Sequence, residues 1–373
     1  MFTLVIVGVL IAIAIIVTIV FIRLTILLRR YRYSSIGIDG TQPLPTVSVC
    51  IPARNETHAM TECLERVLAS NYEKLEIIVL DDSSVDDTSV LIKSFAHAGV
   101  RFVEGSPLPD GWLGKNHALE GLLNESSSKY IFFLDVDTIL QPHSIQKLIS
   151  WAVARNHYFV SVLPQRADGL RASVFLGTLR YFWVLFFDSR RTPATSSASW
   201  LVERQKLVED GGFSKYKDNA QPEMQIVVDF NTGSNQQLII SNPELGISYE
   251  KKWLSQVETS MRLLKPVFGG ALRAIVGATL LAIVIILPIV SFIGATVVGN
   301  GIVIGLATVD ILLITIVSLR YFKSIWRYGW WLGALHWPIV GIQEVVLLFL
   351  SVLSYSRGLV TWKGRPVTNA IEK

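Results

Sequence analysis

IIVLDDSSVDDT (Ile77–Thr88) and FFLDVDT (Phe132–Thr138) decide how this chain folds. Each opens with a short apolar run of β-branched, leucine or aromatic residues and then turns acidic. A run that is apolar at every position reads as a strand buried on both faces. A third segment of the same build, VSVCIPARNE (Val47–Glu56), precedes them. Helical spacing fills the gaps. Met60, Cys63, Leu64, Val67 and Leu68 recur along one face between Thr57 and Ser70, and Asp87 to Ala98 reads as a second helix. Strands alternating with helices predict an α/β domain with a largely parallel sheet and helices on both faces. In such sheets ligands bind beyond the carboxyl ends of the strands. Pro52-Ala53-Arg54-Asn55-Glu56, Asp81-Asp82 and Asp135-Val136-Asp137 would therefore converge on one crevice.

The bulk composition points away from water. Of 373 residues, 51% are hydrophobic and 17% charged, against about a quarter charged in an average soluble domain. Net charge is a modest +4, and no basic tract interleaves with aromatics, so nucleic acid is excluded as an expected partner. Cys50 and Cys63 are too few for a disulfide framework, and Cys50, inside a strand-like run, reads as a buried apolar residue. Asn55 and Asn124 open sequons that read as chance, because both fall in a region expected in the cytosol.

Phe2 to Ile22 carries no charge. At about 1.5 Å per residue it can cross a hydrocarbon core of about 30 Å. Arg23, Arg29, Arg30 and Arg32 follow it rather than precede it, which predicts an uncleaved anchor with its N-terminus outside. Three more segments lie beyond the polar middle: Ala274 to Asn300, with a kink expected at Pro288; Gly301 to Leu319, with Asp310; and Trp330 to Tyr355, with His336, Pro338 and Glu344. The link at Val298 to Gly301 has no positive charge, while Arg320 to Tyr328 holds Arg320, Lys323 and Arg327. The first link is therefore expected outside and the second inside. Four full crossings would then put the basic tail with Arg357, Lys363 and Arg365 outside. A re-entrant Trp330 segment would resolve that conflict. Asp310 and Glu344 are costly in lipid, and read either as functional groups or as groups facing protein.

The acidic groups suit a nucleotide and a metal. A carboxylate at Asp81 or Asp82 can accept the imide N–H of uracil or the donors of guanine. If Asp135-Val136-Asp137 is extended, both carboxylates point to one side. Asp135 can then face a ribose hydroxyl and the donor, and Asp137 a divalent ion. Mg²⁺ and Mn²⁺ favour such oxygen ligands and neutralise charge on a departing diphosphate. Lys115, in PDGWLGKNHA (Pro109–Ala118), can add a second positive contact. Each motif has a plainer reading. Asp-Asp-Ser-Ser can be a helix-capping turn, Gly114-Lys115 a solvated loop, and a lone Asp-x-Asp is common.

In this order the segments resemble the family 2 glycosyltransferases, which have the GT-A fold. The resemblance runs from Val47 to Gly212, and more weakly to Pro266. The Pro109–Ala118 segment and a Trp-Lys-Gly-Arg tail at Trp362 to Arg365 are similar to the membrane-anchored branch containing the carotenoid-type and hopanoid-associated transferases. The resemblance implies an inverting transferase with a nucleoside-diphosphate sugar donor, a divalent cation and a hydrophobic lipid acceptor. It also implies nucleotide-sugar contacts from Pro52, Ala53, Arg54, Glu56, Asp81, Asp82, Lys115 and Asp135. The sequence departs from the pattern where the family presents a Glu-Asp pair whose Asp is the general base. Here the place reads Asn219-Ala-Gln-Pro-Glu223-Met224. Glu223 becomes the candidate base, with Asp218 and Asp229 as weaker ones. A clear Gln-x-x-Arg-Trp is also missing; Gln256 to Arg262 has some of its ingredients at another spacing.

The expected organisation is an anchor (1–28), a basic linker (29–45), a GT-A domain (46–268), C-terminal transmembrane helices (269–355) and a basic tail (356–373). Arg171 to Phe187 reads as an interfacial helix at the acceptor entrance or as an ordinary core helix. The functional expectation is a multi-pass enzyme of the cell membrane with a cytosolic catalytic domain, moving a sugar from a UDP-sugar, or a GDP-sugar, to a lipid acceptor among membrane lipids. Its alternatives are a processive polysaccharide synthase and a non-catalytic nucleotide-sugar sensor, which Met224 supports.

Overall fold

The computed structural model describes residues 2–35, 43–167, 179–230 and 236–367. The chain divides into two compact units. One is an α/β unit of Tyr31–Ala167, Asp188–Glu250 and Thr361–Lys373, and the other a helical unit of Met1–Arg30, Asp168–Phe187 and Lys251–Val360.

The α/β unit holds β1 (Val47–Ala53), α2 (Met60–Leu68), β2 (Leu75–Asp81), α3 (Thr88–Ser94), β3 (Val100–Glu104), α4 (Gly114–Glu125) and β4 (Tyr130–Leu134). It continues through β5 (Thr138–Leu140), α5 (Ser144–Ala154), β6 (Phe159–Leu163), β7 (Gln165–Arg166), β8 (Ser199–Glu203), α7 (Arg204–Glu209), α8 (Pro222–Phe230), β9 (Gln236–Ile240) and β10 (Ile247–Tyr249). The tail adds β11 (Thr361–Trp362) and β12 (Arg365–Pro366). The main sheet has the order β3-β2-β1-β4-β8-β6-β9. Only β8 runs against its neighbours. The backbone at Tyr31 to Tyr33 pairs with Ile240 and covers the β9 edge.

Alternation within each strand explains why the strands read as unbroken apolar runs. In β4, Tyr130, Phe132 and Leu134 face a core shared with α2 and α5, while Ile131 and Phe133 face a second core shared with α4 and α8. Both sides are covered, so no position of the strand is polar. Cys50 and Cys63 are buried free thiols, and burial pushes Cys63 up to about 12.

The helical unit contains α1 (Phe2–Arg30), α6 (Leu179–Phe186), α9 (Trp253–Val267), α10 (Ala271–Val298), α11 (Gly301–Ile325), α12 (Trp330–Leu335) and α13 (Trp337–Ser356). Within the stretch Arg171 to Phe187, residues 171–178 lie outside the described residues. Among the described residues, four helices, α1, α10, α11 and α13, are long and apolar enough to cross a membrane. Gly299, at φ 76°, ends α10, and the Asn300 side chain caps α11 by accepting from Val303 N at 3.3 Å.

Packing inside this unit forms layers. Leu10 meets Ala295, Val303 and Ala307 at one end. Ile13 and Val17 meet Ile285, Ile314 and Trp337 in the middle. Trp183, Leu264, Phe268, Ala274, Leu347 and Leu348 make the other end. Trp337 Nε1 donates to Thr315 Oγ1 at 3.0 Å, so α12 leads from the end of α11 back to the middle layer. From there α13 returns. Its Ser351 Oγ donates to Met261 O at 2.7 Å and its Tyr355 hydroxyl to Arg262 O at 2.8 Å, both on α9, which precedes α10. Among the described residues, α12 and α13 add nothing to the Leu10 layer.

The largest buried side chain of the sheet, Trp200 on β8, packs against Phe133, Phe159 and Phe213. Trp200→Ala should cost the α/β unit about 3–5 kcal/mol. The effect is read as a lower thermal unfolding midpoint in detergent, and an unchanged midpoint would contradict this account of the core.

Candidate active site

The order β2-β1-β4 sets three acidic strand ends side by side. At the end of β1, Pro52 and Ala53 lie inside the strand, where they pair with Leu80 and Asp81. Their side chains are buried, and their contribution is backbone: Ala53 O accepts from Asp82 N at 2.8 Å. Arg54 follows. Its Nη1 donates to the Asp82 carbonyl and to Ser83 O, and its Nε to Lys363 O at 3.1 Å. Asn55 adopts a positive φ of 52° and its side chain accepts from Val85 N at 3.0 Å, locking the two loops together. Glu56 is paired with Lys363 at 2.8 Å.

At the end of β2, Asp81 is taken up by its own turn. Oδ1 accepts from the Ser84 amide and hydroxyl, and Oδ2 from the Ser89 hydroxyl. Asp82 is only 1% exposed, and both its carboxylate oxygens accept from Arg365 Nη1 at 2.8 Å. Gly105 lies against this loop so closely that a Cβ there would come within 2.7 Å of Asp81 O.

At the end of β4 the structure corrects one expectation. Asp135 to Asp137 is not extended but a turn, closed by Thr138 N donating to Asp135 O at 3.0 Å. The chain must reverse here because β5 leaves the main sheet to pair with β10. Val136 is buried in the core beneath. Lys115, in the first turn of α4, pairs with Asp135 at 2.7 Å and also donates to Ser197 O at 3.3 Å. Burial pushes Glu56 above the usual carboxylate range, Lys363 pulls it down, and Asp137 and Asp135 push it up again. These three carboxylates thus share one electrostatic field.

Glu223 stands in the first turn of α8, 3% exposed. The loop that precedes it is tied to the start of α4. Asn116 Nδ2 donates to Tyr216 O, Lys217 O and Asn219 O at 2.7, 3.3 and 2.8 Å, and Leu113 N to Lys217 O at 2.8 Å. The loop leading into α8 is thereby tied to the same first turn of α4 that carries Lys115. Asp229 is spoken for by the Tyr216 hydroxyl, Lys215 and Gln225 at 2.9, 2.8 and 2.8 Å. Those bonds outweigh desolvation and hold it below the usual carboxylate range. Asp218 is exposed.

Sequence reading missed two parts of this arrangement. Asn116 sits inside a segment singled out for Lys115, yet its role as a tie needed the fold. Lys363 and Arg365 were placed only in a basic tail, and their contacts with Glu56 and Asp82 had no sequence signal beyond the Trp362 to Arg365 motif. Asp310, Glu344 and Gln256, also singled out in the sequence, lie in the helical unit. Glu344 accepts from Trp183 Nε1 at 2.9 Å, and Gln256 accepts from the buried Arg180 at 2.7 Å.

Among the described residues no three or more His, Cys, Asp or Glu side chains form a metal cage. A hard ion such as Mg²⁺ does not require one. It is held by one or two carboxylates with substrate phosphates and water completing its shell. Asp135 and Asp137, on one turn, fit that smaller share.

Residues 48–199 match the family model of glycosyl transferase family 2. The poly-beta-1,6-N-acetyl-D-glucosamine synthase of Staphylococcus aureus (strain COL) is 34% identical over 118 residues, which are 30% of this chain and 27% of that protein. The probable glycosyltransferase YdaM of Bacillus subtilis (strain 168) is 31% identical over 115 residues, again 30% of this chain and 27% of the relative. The match thus spans about a quarter of the length of these relatives. Among solved structures, a mannosyltransferase from Pyrobaculum calidifontis, PcManGT, determined with GDP-Man and Mn²⁺, aligns with a TM-score of 0.53 at 16% identity, covering 92% of this chain and 98% of that one. The likeness is one of fold, and the fold is GT-A.

Proposed function

We propose that this chain, whose residues 48–199 are a family 2 glycosyltransferase domain, is a membrane-bound inverting glycosyltransferase that moves a sugar from a nucleoside-diphosphate sugar to a lipid or lipid-like acceptor. The observation that carries the reading is the convergence of Glu56, Asp81-Asp82 and Asp135-Asp137 on adjacent strand ends, in a chain whose described residues include four membrane-length helices. A UDP-sugar is the favoured donor. Asp81 would meet the base: three of its roughly four acceptor positions are filled, and one is left. Lys115 would contact the diphosphate. Asp137, with Asp135 beside it, would hold the Mg²⁺ or Mn²⁺ that offsets charge on the departing diphosphate.

Glu223 would take the acceptor's proton. Its burial suits a group that must act in a site closed to water, and Asn116 holds its loop against the Lys115 turn. Transfer is then one displacement at the anomeric carbon, with the base placed by the fold. The processive alternative is favoured by one finding, the synthase among the relatives. Product chain length separates the two: one sugar per acceptor on the present reading, a polymer on the other.

The domain is proposed to face the cytosol, where nucleotide sugars are. With α1 entering from outside, α10 and α11 cross out and back, and α12 with α13 form a re-entrant pair that ends where it began. The tail would then return to the same side, a reading its contacts with Asp82 and Glu56 support. The parity conflict disappears.

Donor binding should depend on metal. Isothermal titration of a UDP-sugar should weaken by about tenfold or more on chelation, and Asp137→Ala should abolish the response to added Mg²⁺ or Mn²⁺. Binding indifferent to chelator would remove Asp137 from the metal site.

A positioned base contributes about 10²–10⁴-fold to such a step. Glu223→Gln should lower kcat by that order with donor affinity nearly unchanged. Asp229→Asn, which loosens the Tyr216 network, should lower the unfolding midpoint and leave kcat within a few-fold. A mild Glu223→Gln would point instead to an acceptor that is already ionised.

Topology is read by thiol labelling of intact cells, with Cys50 and Cys63 replaced. Cysteines at Ser94 and Ser356 should both resist an impermeant reagent, and one at Asn300 should react. Opposite outcomes at Ser94 and Ser356 would contradict the re-entrant pair.

A further inference from the structure

The tail forms a two-residue hairpin. Lys363 and Gly364 both have positive φ, 49° and 80°, which matches the twist of a tight antiparallel turn. Trp362 and Arg365 are therefore cross-strand partners. Both press on Gly114, the first residue of α4, where an added Cβ would lie 3.2 Å from the Trp362 ring and 3.2 Å from Arg365 Nη1. From this seat Arg365 reaches Asp82, Lys363 reaches Glu56, and the Lys363 carbonyl accepts from Arg54. One turn of chain thus clamps the ends of β1 and β2 and the start of α4.

We infer that Asp82 is the latch of this tail: its ion pair with Arg365 fixes the Trp362–Arg365 turn as a wall of the donor site, and the donor binds only with the tail latched. The inference rests on the donor reading above and deepens it. Asp82 is only 1% exposed, and both its oxygens are already engaged by Arg365. Such a carboxylate is better placed to hold a protein cation than to read a ligand. The charge balance gives the reason a donor needs the latch. Five carboxylates, Glu56, Asp81, Asp82, Asp135 and Asp137, face four cations, Arg54, Lys115, Lys363 and Arg365, and the last two cations come from the tail. With the tail away, an anionic diphosphate would meet uncompensated carboxylates. With it in place, a single negative charge is left over, which a divalent cation can take up.

The test is a double-mutant cycle in the full chain in lipid nanodiscs, with UDP and GDP as probes and Mg²⁺ present. Breaking a buried ion pair on one side is costly, whereas replacing both partners with apolar residues of similar volume is often neutral. Asp82→Leu and Arg365→Met should each weaken nucleotide binding by about tenfold or more. The double variant, which keeps the hairpin packed and the net charge unchanged, should recover most of that loss. Gly114→Val keeps every charge but displaces Trp362 and Arg365, and should weaken binding as the single variants do. If Arg365→Met fails to fold, Asp82→Leu, the double variant and Gly114→Val still decide the matter. A double variant as weak as Asp82→Leu would mean that the Asp82 carboxylate reads the nucleotide itself and would overturn the latch. So would Asp82→Leu binding as tightly as wild type. Wild type binding neither nucleotide would overturn the donor reading and the latch together, an outcome distinct from the other two.

Discussion

Like charges crowded at adjacent strand ends must be compensated, and this constraint organises the α/β unit. Glu56, Asp82, Asp135 and Asp137 follow three neighbouring parallel strands. Two of these carboxylates, Glu56 and Asp82, are pushed up by burial and drawn back by cations from the tail. Asp135 is met by Lys115 from α4. The counter-ions come from α4 and from the tail, so the site cannot assemble until sheet, helix and tail are all in place. The pairs are not surface decoration. Asp82 is nearly out of water, where an unpaired charge is far more costly than at the surface.

The fold was legible because its signals are local. Unbroken apolar runs mark strands covered on both faces, and Met60, Cys63, Leu64 and Val67 mark the face of α2 that meets them. Helix ends were less legible. Asp87 to Ala98 reads as one helix, yet α3 stops at Ser94 and a 3-10 turn takes over at Ala96–Ala98, with Gly99 at φ 90° turning the chain into β3. The conformation of Asp135 to Asp137 has a tertiary cause that the sequence does not carry. The segment looks extended, but β5 must leave the main sheet for β10, and the chain turns to let it.

Of the candidate site, sequence carried the acidic half and not its cations. Carboxylates after a strand form a visible pattern. Arg365 and Asp82 are 283 positions apart, and no spacing rule links them. Asn116 is similar: an ordinary helical asparagine in sequence, it is a three-acceptor tie in space. Among the described residues of the helical unit, hydropathy finds four membrane-length helices. It does not show that α13 starts in the middle layer, because that depends on Trp337 meeting Thr315 rather than on length.

The central claim is that these strand-end carboxylates serve sugar transfer to lipid. It is tested most directly by incubating the purified protein in nanodiscs with a membrane lipid extract, Mn²⁺ and a UDP-sugar labelled in the sugar, then measuring label in the organic phase. The account predicts one labelled sugar per lipid molecule, dependent on the divalent cation. Donor bound tightly, with no label passing to any lipid, would contradict it.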